Sequence, residues 1–358
     1  MPVQKFSMNG VREMKKACII GHFGFGHELL NGQTIKTKIL TRELENQMPD
    51  QITKIDTHGG IKSLVKAPFH IWSALKNSSN VIILPACNGV QVYGPLLALL
   101  KPLFPGRKIH YAVIGGWLAS FLKSRKGLSS CLKKFDHIYV ETSPMKRDLE
   151  KMGFHNIVLM PNCKELTILK PDNLVMQHSE PYKLCTFSRV MKEKGIEDAV
   201  NAVRAVNEKL GRTVYSLDIY GQVDSGQTEW FEELMHSFPE YVQYGGLVPF
   251  DQSVEVLKDY FALLFPTRFF TEGIPGTVID AYAAGVPVIS ARWESFGDII
   301  DDDVTGMGYT FECVEELTSL LEKISSSSHC LDSMRGNCLN KAVEYLPQKA
   351  MQVMVERL

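Results

Sequence analysis

The sequence predicts an α/β protein made of two doubly wound domains, each with a parallel sheet covered by helices. Short apolar runs alternate with helical patterns through both halves of the 358-residue chain. The runs are almost continuously apolar, which is typical of parallel strands buried on both faces. A domain usually holds about 100–200 residues, so this length favours two domains.

Nine apolar runs are expected to be strands. The first half contributes Ala17–Gly21, Val81–Leu84, Ile109–Ile114, Ile138–Glu141 and Ile157–Met160, and the second contributes Leu184–Ser188, Tyr215–Tyr220, Ala262–Pro266 and Val286–Ser290. Gly211 is expected to end an amphipathic helix. The apolar face of that helix consists of Ile196, Ala199, Val200, Val203, Val206 and Leu210.

The polar stretch Lys170–Pro181, bounded by two prolines, is the predicted joint between the domains. We therefore expect one domain over residues 1–172 and a second over residues 173–342. A helix of about 343–358 is expected to pack back on the first domain. Ligands of such folds bind outside the carboxyl ends of the strands, which predicts a central cleft between the two domains.

Charge is distributed unevenly along the chain. Residues 1–175 hold 24 lysines and arginines against 12 acids, whereas the remainder holds 15 against 28. The basic half is therefore expected to meet an anionic partner. Its focus is the segment from Trp117 to Phe135, where apolar residues (Trp117, Leu118, Phe121, Leu122, Leu128, Leu132, Phe135) interleave with cations (Lys123, Arg125, Lys126, Lys133, Lys134).

This interleaving favours contact with an anionic membrane surface. The alternative is two ordinary helices with one core face and one solvent face each. Nucleic acid is not an expected partner, because base-stacking aromatics and known binding motifs are missing. The amino-terminal segment has no apolar core of a secretory signal, and several cysteines lie in apolar runs. We expect a cytoplasmic protein, with a peripheral position on the inner face of the plasma membrane as a further option.

The first predicted strand leads into a glycine-rich loop, Gly21–Gly26, and a helix is expected near Thr34. A helix N-terminus attracts phosphate. The dinucleotide fingerprint G-x-G-x-x-G fails here, because Leu29 stands where its last glycine belongs. Asp56 is the sole candidate for an acid on a second strand. A plain glycine turn remains an equal alternative.

Arg189 and Lys194 follow the first strand of the second half and precede the amphipathic helix. Cations at the carboxyl edge of a sheet can neutralise a diphosphate. The alternative is a basic loop that only faces water.

The segment FPTRFFTEGIPGTVIDAYAAGVPVIS carries Glu272 and Asp280 with a glycine-rich turn between them. Backbone amides of Gly273–Thr277 can face a ligand where the next helix starts. Glu272 can accept hydrogen bonds from sugar hydroxyls, and Asp280 can reach a ribose.

Together these segments resemble the retaining nucleotide-sugar glycosyltransferases of family 4, which have the GT-B fold of two Rossmann-like domains facing a central cleft. The family signature E-x7-E, followed by A-x-x-x-G-x-P-V-I, corresponds to Glu272-x7-Asp280 followed by Ala281, Gly285 and Pro287. The family motif G-R-x-x-x-x-K-G corresponds to Ser188–Gly195, its first glycine turn to Asn31-Gly32, and its P-N-G to Pro161–Cys163.

The resemblance implies a role for each matching residue. Arg189 and Lys194 would hold the donor diphosphate, and with Glu272, which would bind the transferred sugar, they form the predicted catalytic set. Asp280 would hold the ribose. The remaining donor contacts would come from Gly32 near the phosphates, Gly246, Leu247 and Val248 around the base, and Gly273, Ile274, Pro275, Gly276 and Thr277 around the sugar.

The resemblance further implies a retaining hexosyltransferase of cell-surface polysaccharide or glycolipid assembly. Its substrates would be a nucleotide sugar, with a UDP-linked donor as one candidate, and a saccharide or lipid-linked saccharide. No cofactor and no metal ion are expected. Asp301–Asp303 looks like a D-x-D metal motif, but three adjacent acids in a loop usually face water.

Two departures from the family stand out. The second acid of the signature is Asp280, one methylene shorter than glutamate. Ile114-Gly115-Gly116 replaces the histidine that family members often carry, and His110 lies inside a strand pattern, where a structural role is expected. The alternatives are a non-catalytic nucleotide-sugar-binding protein, a nicotinamide-dependent oxidoreductase that uses Gly21–Gly26, and an epimerase or phosphorylase of the same fold.

Overall fold

The protein was analysed as a computed structural model that describes residues 15–27, 32–249 and 251–358, without the side chains of Ile61 and Lys62. The chain divides into two compact units. Of the described residues, the first unit comprises those up to Val113 together with Leu122–Tyr139 and Met354–Leu358, and the second comprises those of Ile114–Phe121 and Val140–Val353.

In the part of the chain that the structure describes, the strands form two six-stranded sheets. The first sheet has the order β2-β1-β3-β4-β5-β6, where the strands are β1 (Lys15–Gly21), β2 (Ile52–Asp56), β3 (Ser78–Ile83), β4 (Lys108–Ala112), β5 (His137–Val140) and β6 (Ile157–Leu159). Strands β1 to β5 pair in parallel. Their central members are buried, as the continuously apolar runs require.

The second sheet has the order β12-β11-β10-β7-β8-β9 and is also parallel. Its strands are β7 (Tyr182–Phe187), β8 (Tyr215–Tyr220), β9 (Val242–Gly246), β10 (Ala262–Phe265), β11 (Val288–Ala291) and β12 (Gly306–Tyr309). The sheet change falls between β6 and β7, in the stretch that contains the predicted joint Lys170–Pro181. The exact domain boundary stays a prediction.

Helices connect the strands. They are α1 (Gly32–Gln47), α2 (Ile61–Val65), α3 (Ala67–Asn77), α4 (Cys87–Leu100), α5 (Leu118–Leu122), α6 (Lys126–Leu132), α7 (Ser143–Lys151), α8 (Ile196–Leu210), α9 (Thr228–His236), α10 (Ser253–Leu257), α11 (Gly276–Ala283), α12 (Val314–Ser325), α13 (His329–Asp332), α14 (Arg335–Ala342), α15 (Pro347–Ala350) and α16 (Gln352–Val355). None within the described residues is long and apolar enough to cross a membrane.

The expected parallel sheets are confirmed, and all nine apolar runs contain strands. The amphipathic helix is α8, which ends at Gly211 with φ 67°. The carboxyl terminus differs from the single expected helix over 343–358. It forms a 3-10 turn at Val343–Tyr345 followed by α15 and α16. Pro347 accounts for the break, because the residue before a proline is kept out of the helical region.

The basic segment from Trp117 to Phe135 folds as ordinary helices, the alternative noted above. Most of its apolar side chains are buried, namely Leu118, Leu122, Leu128, Leu132 and Phe135. Lys123, Lys126, Lys133 and Lys134 remain exposed. Trp117 and Phe121 are half-buried, and contact of this segment with a membrane stays a prediction.

Candidate donor site

A close backbone approach brings Lys194 to the carboxyl end of β10. Gly195, directly after it, adopts φ 68° and begins α8. A β-carbon on Gly195 would lie 1.8 Å from the carbonyl oxygen of Pro266. Only glycine fits here, because the position combines a left-handed conformation with contact to another backbone.

The side chain of Lys194 is held by a carboxylate and two aromatic rings. Its Nζ donates to Oε2 of Glu272 at 2.5 Å and lies 5.6 Å and 5.1 Å from the ring centres of Phe265 and Phe269. Thr267 also donates to Oε2 of Glu272, at 3.3 Å. The two charged side chains are only 16% and 19% exposed. The structure thus brings together two of the three predicted catalytic residues.

Arg189, the third predicted catalytic residue, has different neighbours. Its side chain is 62% exposed and its Nη1 lies 3.6 Å from Oδ2 of Asp224. Lys194 and Arg189 thus contact different carboxylates. A common role on a diphosphate stays a prediction.

A second ion pair fixes the loop that carries Glu272. Arg268 donates to both oxygens of Asp198 at 2.7 Å, and its backbone amide donates to the carbonyl of Glu193 at 2.9 Å. Asp198 is buried in the first turn of α8. The bidentate geometry restricts the relative movement of the loop and the helix.

The segment Gly273–Thr277 leads into α11, whose N-cap is Pro275. The first amides of a helix have no intrahelical acceptors, so those of Gly276 and Thr277 are available to a ligand. Oγ1 of Thr277 is buried and has no hydrogen-bond partner. A buried polar atom without a partner carries a free-energy cost that a bound ligand can relieve. Asn162 anchors the segment by donating to the carbonyl of Ile274 at 3.1 Å.

Glu141 is a buried acid at this site that the sequence analysis did not select. Its Oε2 lies 3.0 Å from the position that a β-carbon would take on Gly273. A β-carbon on Gly116 would likewise lie 2.7 Å from the carbonyl oxygen of Thr271. Glu141 is the last residue of an apolar strand run, and this position was the only sequence feature that could have identified it. Gly115 and Gly116 stand where family members often carry a histidine, and the carboxylate of Glu141 lies beside them.

Asp280 forms a buried ion pair. Lys164 donates from Nζ to both of its oxygens at 2.5 Å, and Asp280 is only 4% exposed. Burial raises the pKa of the Asp280 carboxyl, while the charge of Lys164 and a hydrogen bond from Ser253 oppose the rise. A cavity of about 620 Å³ opens beside Ser253 and is lined by residues 165–170 and 253–255 among others. Lys164, which holds the acid expected to bind ribose, was missed by the sequence analysis.

The loop expected to receive the base follows β9. Gly246 has φ 77° and accepts a hydrogen bond from the amide of Gly221 at 2.9 Å. Leu247 is 68% exposed, and Val248 is half-buried. A β-carbon on Gly245 would lie 2.2 Å from the ring of Tyr220, so the carboxyl end of β9 packs directly on that ring.

In the first unit, the glycine-rich loop is tied to Asp56. Asp56 accepts hydrogen bonds from the amides of Phe23, Phe25 and His58 at 2.8–2.9 Å. Burial would raise the pKa of Asp56, but the backbone amides outweigh it and the net pKa is lowered. Gly32 is exposed and begins α1, whereas Leu29 and Asn31 lie outside the described residues.

His110 is a core residue, as expected. It hydrogen-bonds Tyr139 Oη at 3.1 Å and Asn80 Oδ1 at 3.0 Å, and burial lowers its pKa to about 3.

Two acids of the turn Asp301–Asp303 pair with cations of the chain. Asp301 pairs with Lys341 at 3.1 Å, and Asp302 pairs with Arg292. Among the described residues, no group of three histidines, cysteines or acids has the arrangement of a metal site.

Comparison with known proteins places this architecture. Residues 181–327 match the family model described as Glycosyl transferases group 1. The chain is 22% identical over 150 residues to the amylovoran biosynthesis glycosyltransferase AmsK of Erwinia amylovora, covering 41% of this chain and 36% of that protein. Alignments of this chain span between 30% and 48% of the length of the curated relatives it matches.

Solved structures match over nearly the whole chain. Anabaena Alr3699/HepE in complex with UDP superposes with a TM-score of 0.74 at 11% identity, covering 96% of this chain and 99% of that one. The lipopolysaccharide outer core galactosyltransferase WaaB superposes with a TM-score of 0.69 at 17% identity, covering 96% and 100%. The fold is therefore the GT-B fold, as the resemblance implied.

Proposed function

We propose that this protein is a glycosyltransferase that moves a sugar from a nucleotide donor to a saccharide or lipid-linked saccharide, with retention of configuration. The proposal rests mainly on the Lys194–Glu272 pair. Glu272 also lies a few residues before the free amides and the unpaired Thr277 hydroxyl at the start of α11. The pair provides a positive charge and a carboxylate, and the start of α11 provides hydrogen-bond donors.

The positive groups suit the diphosphate of the donor. When a diphosphate binds, Lys194 can turn from Glu272 to a phosphate oxygen, and the amides at the start of α11 add partial positive charge. Arg189 is exposed and free to reorient from Asp224. Negative charge grows on the leaving nucleoside diphosphate during transfer, so these cations stabilise the transition state more than the ground state.

Two carboxylates suit the sugar and the acceptor. Glu272, released from Lys194, can accept hydrogen bonds from sugar hydroxyls. Glu141, beside Gly273, supplies the titratable group that Gly115 and Gly116 lack. No group stands out as a covalent nucleophile, and the resemblance implies attack by the acceptor on the face that the leaving group occupied.

The nucleoside would lie near Asp280. The cavity beside Ser253 has the volume of a small-ligand pocket, for which about 300–1,000 Å³ is usual. Asp280 is paired with Lys164, so it is expected to bind a ribose while it keeps this ion pair. AmsK is named for amylovoran biosynthesis, and HepE was solved with UDP, which supports a polysaccharide acceptor and a uridine donor as the first candidates.

No metal or cofactor enters this proposal, because the charge on the diphosphate has cations of the chain as partners. Transfer is expected to survive excess EDTA, and its loss with rescue by magnesium or manganese would contradict this part.

Two rivals are less well supported. If the protein were a nicotinamide-dependent oxidoreductase, the acid at the end of β2 should be free to bind a ribose hydroxyl. Asp56 instead accepts from three backbone amides. The non-catalytic interpretation rests on the missing histidine, yet the carboxylate of Glu141 lies beside that place. Titration with NADH separates the first rival from a transferase, and donor binding without turnover would support the second.

The direct experiment is a thermal-shift screen of nucleoside diphosphates and nucleotide sugars, followed by detection of sugar transfer. A nucleotide at 100 times its dissociation constant stabilises a protein by about 2.7 kcal/mol. A shift with nucleotides but not with NADH supports the proposal, whereas a shift with NADH alone overturns it.

A further inference from the structure

A stripe of large apolar side chains faces solvent in the first unit. Val65 and Phe69 are each 75% exposed, and Trp72 is 47% exposed. Their spacings of four and three residues place them on one side of a helix. The short helix α2 continues almost directly into α3 through Lys66, whose backbone is helical, so the three form one stripe. The opposite side of α3 is buried through Ala67, Ile71, Ala74 and Leu75.

The end of α4 extends this stripe. The ring of Trp72 contacts the ring of Phe104 edge-to-face, with centroids 5.0 Å apart. Next to Phe104 lies Leu103, which is 63% exposed, and one turn earlier Leu99 is 71% exposed. We call these five exposed residues the apolar face: Val65, Phe69, Trp72, Leu99 and Leu103. Exposed apolar patches of this kind mark interaction sites.

The part of the chain that carries the apolar face has charges of one sign. Residues 57–135 contain eleven lysines and arginines and no aspartate or glutamate. Lys66 and Lys76, at the two ends of α3, are both exposed. Elsewhere in this stretch Lys101 pairs with Asp136, outside it, at 2.7 Å. The apolar face therefore belongs to a cationic part of the chain and has exposed lysines at both ends of α3.

We propose that the apolar face, with Lys66 and Lys76, docks on an anionic membrane surface. Trp and Phe suit the boundary between headgroups and acyl chains, and lysines beside them attract anionic lipid. A second copy of this chain fits less well, since it would oppose one cationic surface to another. The proposal concerns the first unit and does not rest on the proposed transferase activity.

Lipid binding can be measured by co-sedimentation of the full chain with vesicles of phosphatidylcholine containing about one third phosphatidylglycerol. Each surface lysine contributes about a fivefold gain in affinity for such a membrane. Lys66→Glu with Lys76→Glu should therefore weaken binding at least about 25-fold. Binding should also fall as salt rises, because the Debye length shrinks from about 10 Å at 0.1 M to about 3 Å at 1 M.

The apolar contribution is tested separately. Phe69→Gln with Trp72→Gln should weaken binding at low salt, although these variants keep every charge. Brominated lipid should quench wild-type fluorescence more than that of Trp72→Phe. Lys349→Glu and Val343→Gln alter exposed residues of the second unit and serve as controls. Circular dichroism and an unchanged melting temperature establish that the variants fold.

Three results would overturn the proposal. The first is equal binding to pure phosphatidylcholine vesicles, or no binding to either kind. The second is wild-type binding by both double variants. The third is a dimer in sedimentation velocity that Phe69→Gln with Trp72→Gln abolishes in the absence of lipid, which would assign the apolar face to a second copy.

Discussion

Nζ of Lys194 lies 2.5 Å from Oε2 of Glu272 and within 5.6 Å of the centres of two phenyl rings. This geometry makes Lys194 the better defined of the two predicted diphosphate cations, because Arg189 is mostly exposed. The two should accordingly differ when they are replaced.

We expect Lys194→Ala to lower turnover about a hundred- to thousand-fold, by analogy with loss of a donor that stabilises transition-state charge. Arg189→Ala should have a smaller effect. Lys192→Ala is the matched control, since Lys192 is exposed and its Nζ lies 5.7 Å from the ring centre of Trp230. Nucleoside diphosphate release from the donor measures the effect. Turnover of folded Lys194→Ala within threefold of wild type would remove Lys194 from the site.

Gly195 and Gly211 form a natural pair for a second test, because both have φ near 68° and flank α8. Alanine in the left-handed region costs about 1–2 kcal/mol at either position. A β-carbon on Gly211 meets nothing within 4 Å, whereas one on Gly195 strikes Pro266. Gly211→Ala should leave nucleotide affinity unchanged, and Gly195→Ala should lower it at least about tenfold. Calorimetric titration with nucleoside diphosphate decides, and equal affinities would contradict the prediction.

Lys164→Met should destabilise the protein by about 3 kcal/mol or more at pH 7, since it leaves a buried charge on Asp280 unpaired. For a unit of this size the melting temperature should fall by at least about 6 °C. Burial raises the pKa of Asp280, so the folded state holds this proton more tightly than the unfolded state. Stability from this group is thus full at low pH and is lost as pH rises.

The loss in Lys164→Met should therefore be smaller near pH 4 than at pH 7. Adding Asp280→Asn removes both charges and should recover part of the stability and most of the pH dependence. A single variant whose melting temperature differs equally from wild type at both pH values would argue against a charged Asp280 in the native state.

Glu141→Gln should slow turnover at least about tenfold while nucleoside diphosphate affinity stays within twofold. The reason is that the carboxylate lies beside Gly273, which is among the residues expected around the sugar and not around the diphosphate. If it transfers a proton, the lower limb of the pH–rate profile should also disappear. Glu150→Gln, on an exposed helix surface, is the control. An unaltered rate and pH profile would leave Glu141 with a packing role.

Edge strands mark the limit of what the sequence predicts about this fold. Val242–Gly246 and Gly306–Tyr309 did not stand out as apolar runs, and both lie at sheet edges. Ile52–Asp56, another edge strand, was suggested only by its acid. Edge strands are covered less completely than central ones, so their sequences carry less apolar signal. The interior strands were predicted because burial on both faces requires apolar residues throughout.

The sequence predicted those site residues that belong to a local motif. Glu272 and Lys194 belong to motifs, and the structure places them in contact. Lys164 and Glu141 belong to none, since each meets its partner segment across more than a hundred residues. Such contacts depend on how the chain crosses between strands, and the spacing of residues along the sequence does not predict them.

The approach of Gly195 to Pro266 also bears on how this site can change during evolution. The turn Lys192–Lys194 and the end of β10 approach each other closely at this point. An inserted residue in the turn would therefore move Lys194 away from Glu272. Divergence should therefore appear as substitution around this point and as length variation elsewhere, for example in the polar loop Ser325–Ser328. Comparison of loop lengths among relatives would show which loops of the donor site keep a constant length.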